Sequence, residues 1–236
     1  MSTIAILPAR GGSKRIKNKN IIDFCGKPMI AYALEAAEKS QLFDKIHVST
    51  DSDKIKNTVE SLGYSVEFMR PTELSGDMMG TIPVLQWVLE KYRSLKKNYD
   101  DIFNIMPCAP FLQPNDLKKA YQLYLKHEKK HPLHVVAEFP APIEWAYRRD
   151  NNGFIFPFKK GAYAIRSQDL RKAYYETGPF SIFHASHILS KKPTTDEGFI
   201  SYVITKDRAV DIDEEEDLAF AKKIYFGQKA MENIEK

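Results

Sequence analysis

Short apolar runs and longer amphipathic stretches alternate over the first two thirds of the chain. Residues 3–7 form a continuous apolar run, and residues 45–50, 66–69, 101–106 and 134–139 also carry β character. Between these runs, apolar residues recur at helical spacing. Ile30, Ala33, Leu34 and Ala37 mark one helix, and residues 53–62 a second. Ile82, Leu85, Leu89 and Tyr92 mark a third; Leu117, Ala120, Tyr121, Tyr124 and Leu125 mark a fourth, over 114–126. Pro28 suits an early helical position, and Gly63 suits a helix stop. Strands alternating with helices predict an α/β fold with βαβ units and a mainly parallel sheet. From about 140 to 189 the periodicity lapses into mixed prolines, aromatics and basic residues, which reads as an inserted lobe within a single domain spanning 1–236. β character resumes at 198–204, and residues 217–226 read as a closing helix.

Open α/β sheets bind ligands beyond the carboxyl ends of their strands. The residues that follow each strand are therefore the first functional candidates. They are Arg10-Gly11-Gly12-Ser13-Lys14, Ser49-Thr50-Asp51, Arg70-Pro71 and Pro107-Cys108-Ala109-Pro110.

Composition narrows the class. The 236 residues are 43% hydrophobic and 28% charged, enough apolar mass for a core and unlike a disordered tail or a disulfide scaffold. Cys25 and Cys108 show no C-x-x-C spacing, which suits a reducing compartment and argues against a disulfide framework or a zinc site. No apolar run approaches membrane length, so the expectation is a cytoplasmic protein without a membrane partner. A net charge of +4 is too small to argue for nucleic acid. Its distribution is more telling. Arg10, Lys14, Arg15, Lys17 and Lys19 crowd the start with no acid before Asp23, while Asp211, Asp213, Glu214, Glu215, Glu216 and Asp217 crowd a stretch near the end.

Each cluster suggests chemistry. Glycine lets backbone N–H groups approach an anion closely, and successive N–H groups form an anion-binding nest. Gly11 and Gly12 amid five cations therefore read as a polyphosphate loop, though neither a Walker loop nor G-x-G-x-x-G is present. Residues 209–213 alternate as a strand would, which puts Asp211 and Asp213 on one face. Two neighbouring carboxylates repel unless a cation joins them, and Mg²⁺ suits such a pair together with substrate phosphates. Glu214, Glu215, Glu216 and Asp217 have a plainer role at a helix start, where acids complement the macrodipole. His127, His131 and His134 read as structural or surface residues.

The motifs carry a resemblance. Ile6-Leu7-Pro8-Ala9-Arg10-Gly11-Gly12-Ser13-Lys14-Arg15-Ile16, then Lys19-Asn20 and Gly26-Lys27-Pro28, resembles the opening of the sugar-acid cytidylyltransferases, the family of the CMP-sialic acid synthetases. Val48-Ser49-Thr50-Asp51, Arg70-Pro71-Thr72-Glu73-Leu74, Pro107 to Pro110 and Asp211-Ile212-Asp213 follow in order. Lys14-Arg15-Ile16, Cys25-Gly26-Lys27-Pro28-Met29-Ile30 and Gly80-Thr81-Ile82-Pro83-Val84 are most similar to the pseudaminic acid cytidylyltransferase branch. The resemblance implies a Rossmann-like nucleotidyltransferase fold whose inserted lobe serves a homodimer. It implies that CMP passes from CTP to the anomeric hydroxyl of a nine-carbon 2-keto sugar acid, with pyrophosphate released, for glycan or flagellin modification. By the same resemblance Arg10, Gly11, Gly12, Ser13, Lys14 and Lys19 hold the triphosphate, Asn20 and Arg70 place the cytidine, Thr81 contacts the base, and Asp211 and Asp213 hold Mg²⁺. Arg10, Lys19 and Asp211 are the residues expected to carry catalysis.

Two departures from the sialic acid pattern lie on the sugar side. Met106-Pro107-Cys108-Ala109-Pro110 replaces Gln-Pro-Thr-Ser-Pro, and Glu176-Thr177-Gly178-Pro179-Phe180 stands where Arg-Pro-Asn-Gly is usual. Arg148, Arg149, Lys159, Lys160 and Arg166 in the lobe are the candidate cations for a sugar carboxylate. Other ulosonic acids (sialic, legionaminic or eight-carbon 3-deoxy-octulosonic) remain alternatives, as does a non-catalytic nucleotide-binding protein on the same fold. The intact Arg10, Lys19, Asp211 and Asp213 set speaks against the last. A polyanion-binding module is opposed by the acidic stretch.

Overall fold

A computed structural model describes residues 2–190 and 198–234. Its strands are β1 (Thr3–Pro8), β2 (Asp23–Phe24), β3 (Lys27–Pro28), β4 (Lys45–Ser49), β5 (Asp101–Ile105), β6 (Leu133–Glu138), β7 (Tyr147–Arg149), β8 (Ile155–Pro157), β9 (Tyr174–His184) and β10 (Ile200–Val203). Its α-helices are α1 (Met29–Ser40), α2 (Asp53–Ser61), α3 (Thr81–Ser94), α4 (Pro114–Lys126), α5 (Ala185–Ile188) and α6 (Glu215–Ile234). Six strands form one sheet in the order β10-β6-β9-β5-β1-β4. β4, β1 and β5 run parallel, as do β6 and β10, while β9 is antiparallel to both of its neighbours.

The pleat explains why the first strand is apolar throughout. Ala5 and Leu7 join the core made with Ile30, Ala33 and Leu34 of α1, Ile55 and Val59 of α2, and Leu117 and Tyr124 of α4. Ile4 and Ile6 point the other way, onto Leu85, Val88 and Tyr92 of α3 and Ile188 of α5. Burial on both faces needs an unbroken apolar strand, the mark of a parallel sheet covered by helices on both sides.

Three elements differ from expectation. Residues 66–69 form no strand. Val66 packs into the first core and Phe68 against the second, so the side chains alternate, but the run joins the sheet edge only through Arg70 N–H to Thr50 O at 2.7 Å. Residues 209–213 form no strand and join no ladder, although the alternation holds: Ile212 is buried and Asp211 exposed. β9 is an additional strand in a region that showed no period. Its Gly178-Pro179 lies where the pairing with β6 shifts register, between His134 and Val136. A bulge is the place where a central strand tolerates proline. β7 and β8 pair as a hairpin apart from the main sheet, with Phe154, Phe156 and Phe158 exposed.

Candidate active site

The carboxyl ends of β1, β4 and β5 do converge. The loop after β1 approaches the acidic segment before α6 because both are pinned by apolar residues of one small core. Ile16, between Arg15 and Lys17, and Ile212, between Asp211 and Asp213, are both buried with Phe24, Met29, Phe111 and Leu218. Burying the two isoleucines brings their charged neighbours together. Lys19 Nζ lies 3.0 Å from Asp213 Oδ1 and donates to Ile212 O at 2.8 Å, while Arg15 lies 2.7 Å from Asp213 Oδ2. Asp217 folds back as a cap, accepting from the N–H groups of Asp213 at 3.0 Å and Glu214 at 2.8 Å. That is the structural role expected of the acids that open α6.

A cavity of about 230 Å³ is lined by Arg10, Ser13, Lys14, Arg15, Lys19 and Asn20 of the loop, by Met106 and Cys108 after β5, and by Asp213. The loop is braced from several sides. Asn20 Nδ2 donates to Arg10 O at 3.0 Å. Gly11 N–H donates to Asp51 Oδ1 at 2.9 Å, so this amide already has an acceptor within the protein. Gly12 has open space where a side chain would stand, whereas a Cβ on Gly11 would lie 2.8 Å from Ser52 Cβ. Asp77, in the loop before α3, pairs with Arg10 at 2.8 Å and with Lys14, and these partners hold its carboxyl below the usual range. Asp77 escaped the sequence reading; its Ser75-Gly76-Asp77 setting, a small-residue turn ahead of a helix, was the available signal.

Arg70 sits behind the loop, almost wholly buried, with Nη2 3.7 Å from Asp51 Oδ1. Its Nε and Nη2 have no hydrogen-bond acceptor among the described residues. Burial lowers its pKa, against the attraction of Asp51.

A second cavity, of about 240 Å³, adjoins the first across Met106 and Cys108, which line both. Thr81, Asn104, Asp116, Glu176, Thr177, Ser181, Arg208 and Asp211 supply its polar lining. The β9 bulge contributes Glu176 to Ser181. Thr81 thus faces the second cavity and not the one lined by the basic loop. The lobe cations Arg148, Arg149, Lys159, Lys160 and Arg166 line neither.

Asp213 and Asp211 therefore look into different cavities. Their surroundings shift them apart. Burial raises Asp213, but the hydrogen bonds and charges of Lys19 and Arg15 outweigh it and hold the carboxyl low. Burial and then the neighbouring Asp213 push Asp211 up. Asp211 opens to solvent at the cavity yet has no ion-pair partner among the described residues. No cluster of three or more His, Cys, Asp or Glu residues with metal-binding geometry occurs among them either. A carboxylate raised by burial and by a like charge, without a counter-ion, is the environment that a bound cation relieves. The donor set, two hard carboxylate oxygen donors beside a basic loop, fits a divalent ion such as Mg²⁺.

The sequence model of the family described as "Cytidylyltransferase" matches residues 4–232. The chain is 37% identical over 231 residues to the pseudaminic acid cytidylyltransferase of Campylobacter jejuni subsp. jejuni serotype O:23/36 (strain 81-176), covering 95% of this chain and 97% of that protein. It is 29% identical over 219 residues to the N-acylneuraminate cytidylyltransferase of Escherichia coli O18:K1:H7 (strain RS218 / NMEC), covering 92% of this chain and 51% of that one. Among solved structures, CMP:2-keto-3-deoxy-manno-octonic acid synthetase complexed with CTP matches with a TM-score of 0.71 at 15% identity, over 97% of this chain and all of that one. So low an identity speaks to the fold alone.

Proposed function

Because the chain belongs to the cytidylyltransferase family, we propose that it moves CMP from CTP to the anomeric hydroxyl of pseudaminic acid, a nine-carbon 2-keto sugar acid, and releases pyrophosphate. It is a CTP-dependent nucleotidyltransferase acting on a nonulosonic acid. The observation that carries the finer reading is the pair of adjoining cavities, one cationic and one mixed, with Asp213 on the first and Asp211 on the second.

In this reading Arg10, Ser13, Lys14 and Lys19 hold the triphosphate in the first cavity, with Gly12 allowing close approach. CTP displaces Asp77, whose carboxylate meets the same two cations that a phosphate would. Asn20 keeps the loop carbonyl in place, and Arg70, buried behind the loop and lining neither cavity, would help place the cytidine from behind. The acceptor occupies the second cavity. Its anomeric oxygen bonds to the α-phosphorus, the bond from that phosphorus to the oxygen bridging it to the β-phosphorus breaks, pyrophosphate leaves with that oxygen, and the hydroxyl proton passes to water. Catalysis then rests on positioning and charge stabilisation, with no covalent nucleophile. Asp211 and Asp213 would hold Mg²⁺, whose chemistry when bound is to neutralise phosphate charge and acidify the sugar hydroxyl. Met106 gives the acceptor side an apolar wall where sialic acid enzymes carry an amide, which favours pseudaminic over sialic acid.

Two further assignments belong to this reading. One is a cytoplasmic location; no helix among the described residues is long and apolar enough to cross a membrane. The exposed Phe154, Phe156 and Phe158 on the β7–β8 hairpin suit burial against a second copy of the chain.

The test is pyrophosphate release from CTP and Mg²⁺ with a panel of sugar acids: pseudaminic, legionaminic, sialic and the eight-carbon ulosonate. Pseudaminic acid is expected to give the highest kcat/KM and a product of CMP-sugar mass. Preference for another acid would move the assignment to that acid.

A further inference from the structure

The acceptor in the reading above is an anion, and the structure narrows which residue meets its carboxylate. In a 2-keto sugar acid the carboxylate and the anomeric hydroxyl are borne by the same carbon. Placing the hydroxyl beside Asp211 therefore places the carboxylate one carbon away. Its counter-charge must come from the wall of the second cavity close to Asp211.

Among the described residues, Arg208 is the one Lys or Arg in that lining. It lies three residues before Asp211, on the turn Lys206–Arg208. Among the described residues, three carboxylates, Asp116, Glu176 and Asp211, share the lining and would repel an incoming anion. Two of them already have partners: Glu176 lies at hydrogen-bond distance, 2.9 Å, from His134 Nδ1, and Asp116 is paired with Arg208 itself.

The guanidinium is held ready. Its Nη1 meets Asp116 Oδ2, and its Nε donates to Thr205 Oγ1 at 3.3 Å. Asp116 is fixed in turn by the Tyr202 hydroxyl, which donates to Oδ1 at 3.0 Å, and by Gln113 N–H at 3.2 Å. Nη2 has no hydrogen-bond partner among the described residues, and the side chain keeps 23% of its surface exposed. A guanidinium carries five donors in a rigid fork, so it can serve one carboxylate on one edge and another on a second.

We infer that Arg208, positioned by Asp116 and Tyr202, binds the carboxylate of the acceptor sugar acid and makes the enzyme selective for anionic acceptors. The inference rests on the proposed reaction. It replaces the lobe cations Arg148, Arg149, Lys159, Lys160 and Arg166 as candidates, since none of them lines the cavity.

The experiment uses two acceptors, pseudaminic acid and its C1 methyl ester, which keeps every other group but lacks the charge. Arg208→Gln alone leaves Asp116 buried without its cation and can compromise folding. The double variant Arg208→Gln with Asp116→Asn keeps a neutral pair and is the principal test; Arg208→Lys is its companion. In the double variant the KM for pseudaminic acid should rise about 10- to 100-fold, the scale of losing a charged hydrogen bond. The KM for CTP should stay within about twofold, and the wild-type preference for acid over ester should collapse. Arg208→Lys should recover part of that preference. An unchanged acceptor KM, or an equal rise for acid and ester, overturns the assignment of Arg208 while the reaction itself stands. Absence of wild-type turnover with every acid of the panel overturns the reaction, and the Arg208 assignment with it.

Discussion

Asp211 and Asp213 lie two residues apart, yet their surroundings shift them in opposite directions. The signs have consequences for stability. A carboxyl lowered in the folded state stabilises the fold above its unfolded pKa of about 4 and loses that contribution as pH falls through the folded value. Asp213 is of this kind. A carboxyl raised in the folded state costs stability while charged, and the cost is relieved as pH falls. Asp211 is of that kind. At pH 7, Asp211→Asn should therefore leave Tm unchanged or raise it, while Mg²⁺-dependent pyrophosphate release falls about 100-fold or more, the scale of removing one electrostatic group at a reacting centre. Asp213→Asn should lower Tm at the same pH, because half-buried Lys19 loses its partner. Thermal melts at pH 7, run beside turnover assays, check both. A loss of folding with Asp211→Asn would remove its proposed role as a metal ligand.

At the scale of elements, the loop after β1 works because its backbone lies against the N-terminus of α2. A Cβ on Gly11 would stand 2.8 Å from Ser52 Cβ, and Ser52 caps α2 by accepting from Ile55 N–H at 3.4 Å. The helix cap cannot retreat without losing that bond, so the loop must move. Gly11→Ala should weaken CTP binding about tenfold or more, since displacement of positioning groups by an ångström has large effects. Adding Ser52→Gly removes the obstructing atom at a capping cost of only a few tenths of a kcal/mol, and should restore most of the affinity. Calorimetric CTP titration of the single and double variants checks this; equal affinity for wild type and Gly11→Ala would refute it. The other elements were unequally legible. α1 to α4 announced themselves by period, because each presents one apolar face to the sheet. β9 did not, because Gly178-Pro179 in its middle carries the signal of a turn and only the bulge against β6 accommodates it. Residues 66–69 misled for the converse reason: side chains packing to both sides imitate a strand where one backbone bond joins the sheet edge.

Across the whole molecule, the basic loop and the acidic segment meet because Ile16 and Ile212 share one core. Ile212→Ala should cost about 2–5 kcal/mol, the range for truncating a buried isoleucine. It should also depress turnover beyond what stability explains, since the carboxylates on either side would lose their anchor. Denaturant unfolding and turnover, measured where the variant stays folded, separate the two effects. Turnover equal to wild type under those conditions would show that the carboxylates hold their place without the isoleucine. Read from the chain alone were the βαβ rhythm, the apolar run of β1, the basic glycine loop and the acid pair. All of these are patterns within about a dozen residues, where local geometry decides. The partners of the cations were not legible. Lys19 reaches Ile212 and Asp213 across 193 and 194 positions, Arg10 reaches Asp77 across 67, and Arg208 reaches Asp116 across 92. Which charges are neutralised, and which stay free to face a substrate, follows from how the strands order themselves in the sheet. Chain proximity carries no trace of that order, so it is settled only when the layers pack.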